Sequence, residues 1–135
     1  MRNRLIASVF VYNGYCYQTL SYFNYRPLGK LSNILEILDQ HQVDEIFISN
    51  RYFLNHAPDK HLLDEIRTSK ISTPITFSGG ISNKNHVNLI LQNNIDRVGV
   101  NSSLWNLKSL ESVIKAIGIQ GVVGIIPFMF DKDNF

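Results

Sequence analysis

The sequence predicts an α/β protein built on a parallel sheet, and three observations carry that expectation. Short apolar runs alternate with segments whose apolar residues recur at helical spacing. The runs are apolar nearly throughout, as strands covered on both faces must be. The alternation repeats four times before a last apolar run, so each helix returns the chain to a parallel neighbour by a right-handed crossover. An open doubly wound sheet and part of an eight-stranded barrel both satisfy this pattern. A period of about 30 to 40 residues suits a βα unit and not a solenoid.

The first strand is "LIASVFV" at 5–11, bounded by the turn pair Asn13-Gly14. "YCYQTL" at 15–20 follows as a second short ribbon, and its aromatics continue through Tyr22, Phe23 and Tyr25. The first helix covers 31–40, with Leu31, Ile34, Leu35 and Leu38 at helical spacing. "DEIFIS" at 44–49 is a strand, and residues 59–69 form a helix with Leu62, Leu63 and Ile66 on one face. "PITFS" is the third strand of the alternation. Ser82 is placed to cap a helix running to about Asn93 that buries Val87, Leu89, Ile90 and Leu91. "DRVGV", the helix "LKSLESVIKAI" and a fifth strand, "GVVGIIPF" at 121–128, complete the order. With 135 residues and no long linker or low-complexity tract, the chain is expected to be one domain over 1–135.

Composition narrows the class. Hydrophobic residues make up 44% of the chain, enough for a core. The longest apolar stretch, 122–130, is broken by Gly124 and Pro127 and is too short to span a membrane. The basic start Met1-Arg2-Asn3-Arg4 precedes an apolar run too short for a signal peptide, which points to a first strand, while the low cysteine count points to a reducing, cytoplasmic setting. One cysteine, Cys16, excludes an internal disulfide and a cysteine-cluster metal site. His41, His56, His61 and His86 lack metal-ligand spacing, so no metal or other cofactor is expected. A net charge of +2, with no basic stripe, gives no case for nucleic acid.

In a parallel α/β sheet ligands sit at the C-terminal strand ends. Two segments qualify. Ser78-Gly79-Gly80 follows the third strand, where glycines let backbone N–H groups approach an anion and the next helix N-terminus adds partial positive charge. Asn101-Ser102-Ser103 follows the fourth and offers an amide and two hydroxyls. The plain alternatives are an ordinary βα turn and a helix cap. Adjacent strand ends that both offer donors favour a joint anion site.

"RLIASVFVYNG", "VDEIFIS", "TPITFSGGISN" and "IDRVGVNSSLW" together resemble the N-terminal part of the cyclase subunit of imidazole glycerol phosphate synthase, a (β/α)8-barrel family of histidine biosynthesis. "YRPLGKLSNILEILDQHQVDEIFIS" looks closer still to the cyclase-like homologues of bacterial surface-polysaccharide pathways. The resemblance covers nearly all of this chain and about half of the family's barrel. It implies a partial (βα)8 TIM barrel of about four βα units plus a fifth strand.

By the same resemblance, the ligand is a phosphorylated small molecule and ammonia comes from a glutamine amidotransferase. Gly80, Asn101 and Ser102 match phosphate-contacting positions, with Gly79 supporting the turn; Ser78-Gly79-Gly80 replaces the family's usual three glycines. The acid and base aspartates match Phe10 and Pro127, a nearby lysine matches Gln18, and a further aspartate matches Asn50. None of these four residues titrates in the useful range, so the resemblance implies a pseudoenzyme. Arg4, Glu45 and Arg97 match three positions of a charged ring at the N-terminal mouth, where ammonia enters, and an ion cluster kept for packing is the alternative.

Eight strands and about 250 residues are typical of a closed barrel. Five strands leave the inward faces of the first and last strands and two strand edges open, which invites pairing. A truncated copy, pairing with a second copy or another half-barrel, and one piece of a longer protein all fit. The tail at 131–135 favours none of them, and Asp131 and Asp133 are poorly placed to replace the missing carboxylates. A rival function is a non-catalytic partner that docks an amidotransferase or regulates a full-length cyclase.

Overall fold

A computed structural model describes residues 3–20, 24–51 and 56–128; Met1, Arg2, Tyr22, Phe23, Asp131 and Asp133 lie outside them. The strands are β1 (Ile6–Tyr12), β2 (Tyr15–Leu20), β3 (Asn24–Lys30), β4 (Glu45–Asn50), β5 (Ile75–Ser78), β6 (Arg97–Val100) and β7 (Val122–Gly124). The helices are α1 (Leu31–Gln40), α2 (Lys60–Thr68), α3 (Lys84–Leu91) and α4 (Leu107–Ile117), with short 3-10 turns at Ser102–Trp105 and Ile119–Gly121. One seven-stranded sheet has the order β3-β2-β1-β4-β5-β6-β7. Strands β1, β4, β5, β6 and β7 are parallel, and β2 and β3 add an antiparallel ribbon beside β1.

Strand alternation separates the two barrel alternatives. Val9, Val11, Ile46, Ile48, Ile75, Phe77, Val98 and Val100 sit two apart along their strands, and so on one face of the sheet. They share one buried cluster with Leu31 and Leu35 of α1, Leu62, Leu63 and Ile66 of α2, Val87 and Ile90 of α3 and Val113 of α4. All four helices therefore cover the same face, where a doubly wound sheet would divide them. The other face carries Ser8, Phe10, Phe47, Ser49, Thr76, Ser78 and Gly99, the side that lines the inside of a barrel. The sheet does not close, and the fold is a partial (βα)8 barrel of four βα units with a last strand.

Neighbouring strands are stitched at their starts by aspartates. Asp44 accepts from the Leu5 amide at 2.7 Å, and Asp96 accepts from the Ile75 amide at 2.9 Å. Asp39, at the end of α1, takes the amides and hydroxyls of both Ser72 and Thr73 ahead of β5. These contacts fix the strand register at the end of the sheet opposite the βα loops.

Several expectations need correction. Residues 24–30 form a strand that the sequence hides, because Arg26, Pro27 and Gly29 break any apolar alternation. Its ladder to β2 makes it a strand, and β3, not β1, is the sheet's edge on that side. Pro27 removes a donor and Arg26 and Lys30 add charge, so this edge is blunted against pairing. The last strand covers only Val122–Gly124 and not 121–128, since β6 offers it three partners. Asn83, not Ser82, caps α3, its side chain accepting from the His86 amide at 3.1 Å. That helix ends at Leu91, whose side chain is exposed.

Candidate functional site

The two ends of the sheet differ in character. At the N-terminal end, Arg4, Glu45 and Arg97 meet. Glu45 begins β4 beside Ile6 of β1, and Arg97 begins β6 beside Thr76 of β5. The Glu45 carboxylate is almost fully buried, 3.1 Å from Arg4 and 3.5 Å from Arg97. Its other oxygen accepts the buried Thr76 hydroxyl. Arg97 also donates to the Gln120 carbonyl at 3.3 Å, which ties the cluster to the entry of β7. A buried carboxylate requires such pairing. Both guanidinium groups keep part of their surface in water.

At the C-terminal end, β5 and β6 are neighbours, and Ser78 pairs with Gly99. The segments that follow are laced together: the buried Ser103 hydroxyl donates to the Ile81 carbonyl at 2.6 Å. This bond lies one residue beyond Gly80 on one side and one beyond Ser102 on the other. Asn101 and Ser102 are exposed beside it.

The two glycines have a structural cause that the sequence does not reveal. A Cβ on Gly80 would lie 2.5 Å from the carbonyl carbon of Ala57, and one on Gly79 would lie 2.8 Å from the carbonyl oxygen of Asn50. Both have positive φ, +150° at Gly79 and +68° at Gly80. The chain after β4 therefore rests directly on the turn after β5. The helix N-terminus expected to help an anion is partly spent. The His86 amide is taken by Asn83, and the Lys84 amide donates to Ser112 Oγ at 3.0 Å. The amide and hydroxyl groups of Asn101 and Ser102 are exposed beside the turn.

The positions matched to acid–base chemistry carry no proton donor or acceptor in the neutral range. Phe10 is half-buried near the end of β1, and Gln18 is exposed on β2. Asn50 is buried at the end of β4, and Pro127 is exposed beyond β7. Phe10 instead lines a cleft of about 520 Å³ with Val11, Tyr12, Tyr17, Tyr25 and Arg51. The aromatic ribbon at 15–25 was visible in the sequence, and Arg51 was not singled out there. The signal was its place, one residue past the end of β4. Burial, and next the Glu65 carboxylate, push the Cys16 thiol up to about 12, so it is a core group and not a nucleophile.

Among the described residues, no group of three or more His, Cys, Asp or Glu is gathered to hold a metal ion, and no helix is long and apolar enough to cross a membrane.

No family model matches the chain. Curated relatives do. The putative imidazole glycerol phosphate synthase subunit HisF of Leptospira interrogans is 26% identical over 131 residues, covering 95% of this chain and 51% of that protein. The imidazole glycerol phosphate synthase subunit HisF of Clostridium botulinum is 29% identical over 134 residues, covering 97% and 53%. A putative subunit hisF2 of Pseudomonas aeruginosa is 25% identical over 129 residues, covering 93% and 51%. The chain thus resembles the N-terminal half of the cyclase subunit and spans about half the length of the curated relatives it matches.

Proposed function

We propose that this chain is a cyclase-subunit-like half-barrel of the imidazole glycerol phosphate synthase type, which binds a phosphorylated small molecule and has lost the family's proton chemistry. Similarity over nearly the whole chain supports the family reading. The observation that carries the ligand is the bond from Ser103 to Ile81, which sets the exposed donors of Asn101 and Ser102 beside the Gly79-Gly80 turn. An anion there is bound by the hydroxyl and amide donors of Asn101 and Ser102 after β6, with the glycines after β5 fixing the position of the neighbouring turn.

Phosphate should raise the melting temperature of the wild type by mass action. Ser102→Asp places a negative charge at an exposed position and should abolish that rise while leaving the phosphate-free melting temperature nearly unchanged. An equal response in both proteins would remove the site.

General acid–base catalysis contributes about 10²–10⁴ in rate. With Phe10 and Pro127 in place of the two carboxylates, the purified chain should give no cyclase turnover with ammonia as nitrogen source. Phe10→Asp should not restore it, because Pro127 still stands at the second carboxylate position and the other half of the family's barrel is not part of this chain. Robust ammonia-dependent turnover by the wild type would overturn the loss of chemistry.

The Arg4–Glu45–Arg97 cluster occupies the mouth through which the family admits ammonia. A glutamine amidotransferase is the partner proposed there, in histidine or surface-polysaccharide sugar-amidine biosynthesis. The uncovered inner sheet face, with Ile6 exposed on it, favours a second half-barrel or a second copy opposite it. Sedimentation over a range of concentrations should show self-association; a compact monomer at every concentration would exclude the second copy. The neutral residues at Phe10 and Pro127 also suit a second reading, a non-catalytic partner of an amidotransferase or of a full-length cyclase. Co-sedimentation of the purified chain with either protein tests it.

A further inference from the structure

We infer that the outer flank of α4 is a docking surface for a second copy of this chain, with the two α4 helices antiparallel across a two-fold axis. That surface, which presupposes the self-association proposed above, seats the second copy at the end of the sheet and leaves the inner face to another half-barrel. Among the described residues α4 is the last helix, and it packs on β7, the last strand in the sheet order. One flank of α4 is taken by α3, whose Lys84 amide donates to Ser112 Oγ at 3.0 Å. Val113 points into the core. Leu107, Leu110, Ile114 and Ile117 form a stripe at helical spacing. Leu110 and Ile117 touch the core from its inner edge. Leu107 is 73% exposed and Ile114 is half-buried. At 3.6 residues per turn these two stand about 140–160° around the helix from Ser112, and so face away from α3. Just beyond the two ends of α4, Trp105 and Ile119 are 79% and 69% exposed.

Three features select a second copy as the occupant. The apolar positions read the same in both directions about Ser112. In an antiparallel pair centred there, Trp105 comes beside Ile119 of the second copy, Leu107 beside Ile117, and Leu110 beside Ile114. A two-fold contact requires a patch that matches itself in this way. The charges match as well. Glu111 and Lys115 lie beside the stripe, both exposed and 3.9 Å apart within one helix. In the antiparallel pair Glu111 comes within two residues' rise, about 3 Å along the axis, of the second copy's Lys115. Opposite charges then meet at the rim of an apolar centre. The sheet edges agree with this choice. An axis perpendicular to the sheet keeps both α4 helices on one side and brings the two β7 strands together. The opposite edge, β3, is blunted by Arg26, Pro27 and Lys30.

Sedimentation of the purified chain and two variants over a range of concentrations tests the surface. The wild type should pass from monomer to dimer. Leu107→Glu changes an exposed residue in the first turn of α4, where a carboxylate suits the helix. It should weaken the dimer at least about tenfold and leave the melting temperature of the dilute chain unchanged. Ile6→Glu, on the inner face, should leave the dimer as it is. A dimer unchanged by Leu107→Glu, or lost with Ile6→Glu, would overturn the α4 surface while self-association stands. A wild type that is monomeric at every concentration would remove self-association and this surface with it. Cross-linking reads the orientation, and the buried Cys16 does not compete. Under copper–phenanthroline oxidation Glu111→Cys, close to the axis, should give a disulfide-linked dimer. Leu107→Cys, about 15 Å along the axis from its own counterpart, should not. A disulfide-linked dimer of Leu107→Cys would overturn the antiparallel arrangement.

Discussion

The two ends of this sheet hold opposite kinds of polar chemistry. At the N-terminal end the residues entering β1, β4 and β6 carry charge, and the groups are satisfied by one another and by neighbouring strand starts: Glu45 with Arg4, Arg97 and Thr76, Asp44 with Leu5, Asp96 with Ile75. At the C-terminal end, where α/β proteins place their chemistry, Phe10, Asn50, Ser78, Asn101 and Pro127 are neutral, and Arg51, one residue past β4, is the exception. The first end binds its own strands together and tolerates little change. The second is held by backbone contact at Gly79 and Gly80 and by the Ser103–Ile81 bond, and the exposed Asn101 and Ser102 take no part in holding its strands together. Substitutions should therefore cost stability at one end through lost ion pairs, and at the other only where backbone meets backbone.

The largest expected effect lies at such a meeting point. Gly80→Ala and Gly118→Ala both place a side chain on a positive-φ residue, at +68° and +81°. Nothing lies within 4 Å of an added methyl at Gly118, so backbone strain alone acts there, and at φ +81° and ψ 155° it should cost about 1–3 kcal/mol. At Gly80 the methyl meets the Ala57 backbone at 2.5 Å, and the total should exceed about 3 kcal/mol. Urea denaturation of the two variants checks this. Equal costs would mean that the chain after β4 does not rest on the turn after β5.

Glu45→Gln probes the other end. Removing one member of a buried ion pair costs about 3–5 kcal/mol when the remaining charge is buried. Here Arg4 and Arg97 regain water through their exposed surface, and an amide oxygen still accepts from Thr76, so about 1–2 kcal/mol is expected. Ser102→Ala at the opposite end should stay within about 0.5 kcal/mol. Salt should narrow the difference between wild type and Glu45→Gln, because both cations are partly solvated. If Ser102→Ala proved the costlier of the two, the contrast between the ends would be wrong.

What the sequence made legible follows from what local pattern can encode. Runs such as "DEIFIS" and the spacing of Leu62, Leu63 and Ile66 specify elements without knowledge of their neighbours. The meeting of Arg4, Glu45 and Arg97 was legible because each begins a strand, and parallel strand starts share one end of the sheet. Strand β3 was not, since "NYRPLGK" becomes a strand only through its ladder to β2. The cap at Asn83 was a choice between two adjacent capping residues, settled by which one reaches the His86 amide. The backbone packing at Gly79 and Gly80 was not legible, because their contacts, Asn50 and Ala57, lie some 20 to 30 residues away in the chain. The Arg51 cleft needs a cross-strand register and a residue past a strand end, neither of which is periodic.

The smallest effect expected is a pH dependence at the charged end. The Asp39 carboxylate is held below its ordinary value of 3.8, first by the Thr73 hydroxyl, then by the Thr73 and Ser72 amides and the Ser72 hydroxyl. In the unfolded chain that carboxylate takes up its proton near the ordinary value, whereas the folded chain resists it to lower pH. The contribution to stability is thus fully present above the ordinary value and disappears as pH falls through the lowered one. Asp39→Asn keeps an acceptor for these donors but has no proton to bind. Its stability should therefore fall less steeply than that of the wild type as pH drops below 4, and the two urea midpoints should converge there. The group is partly exposed, so the difference at neutral pH should be small, below that of Glu45→Gln. Parallel acid profiles for the two proteins would show that Asp39 does not tie α1 to the entry of β5 in solution, and that the charged end is held by Glu45 and the strand-start aspartates alone.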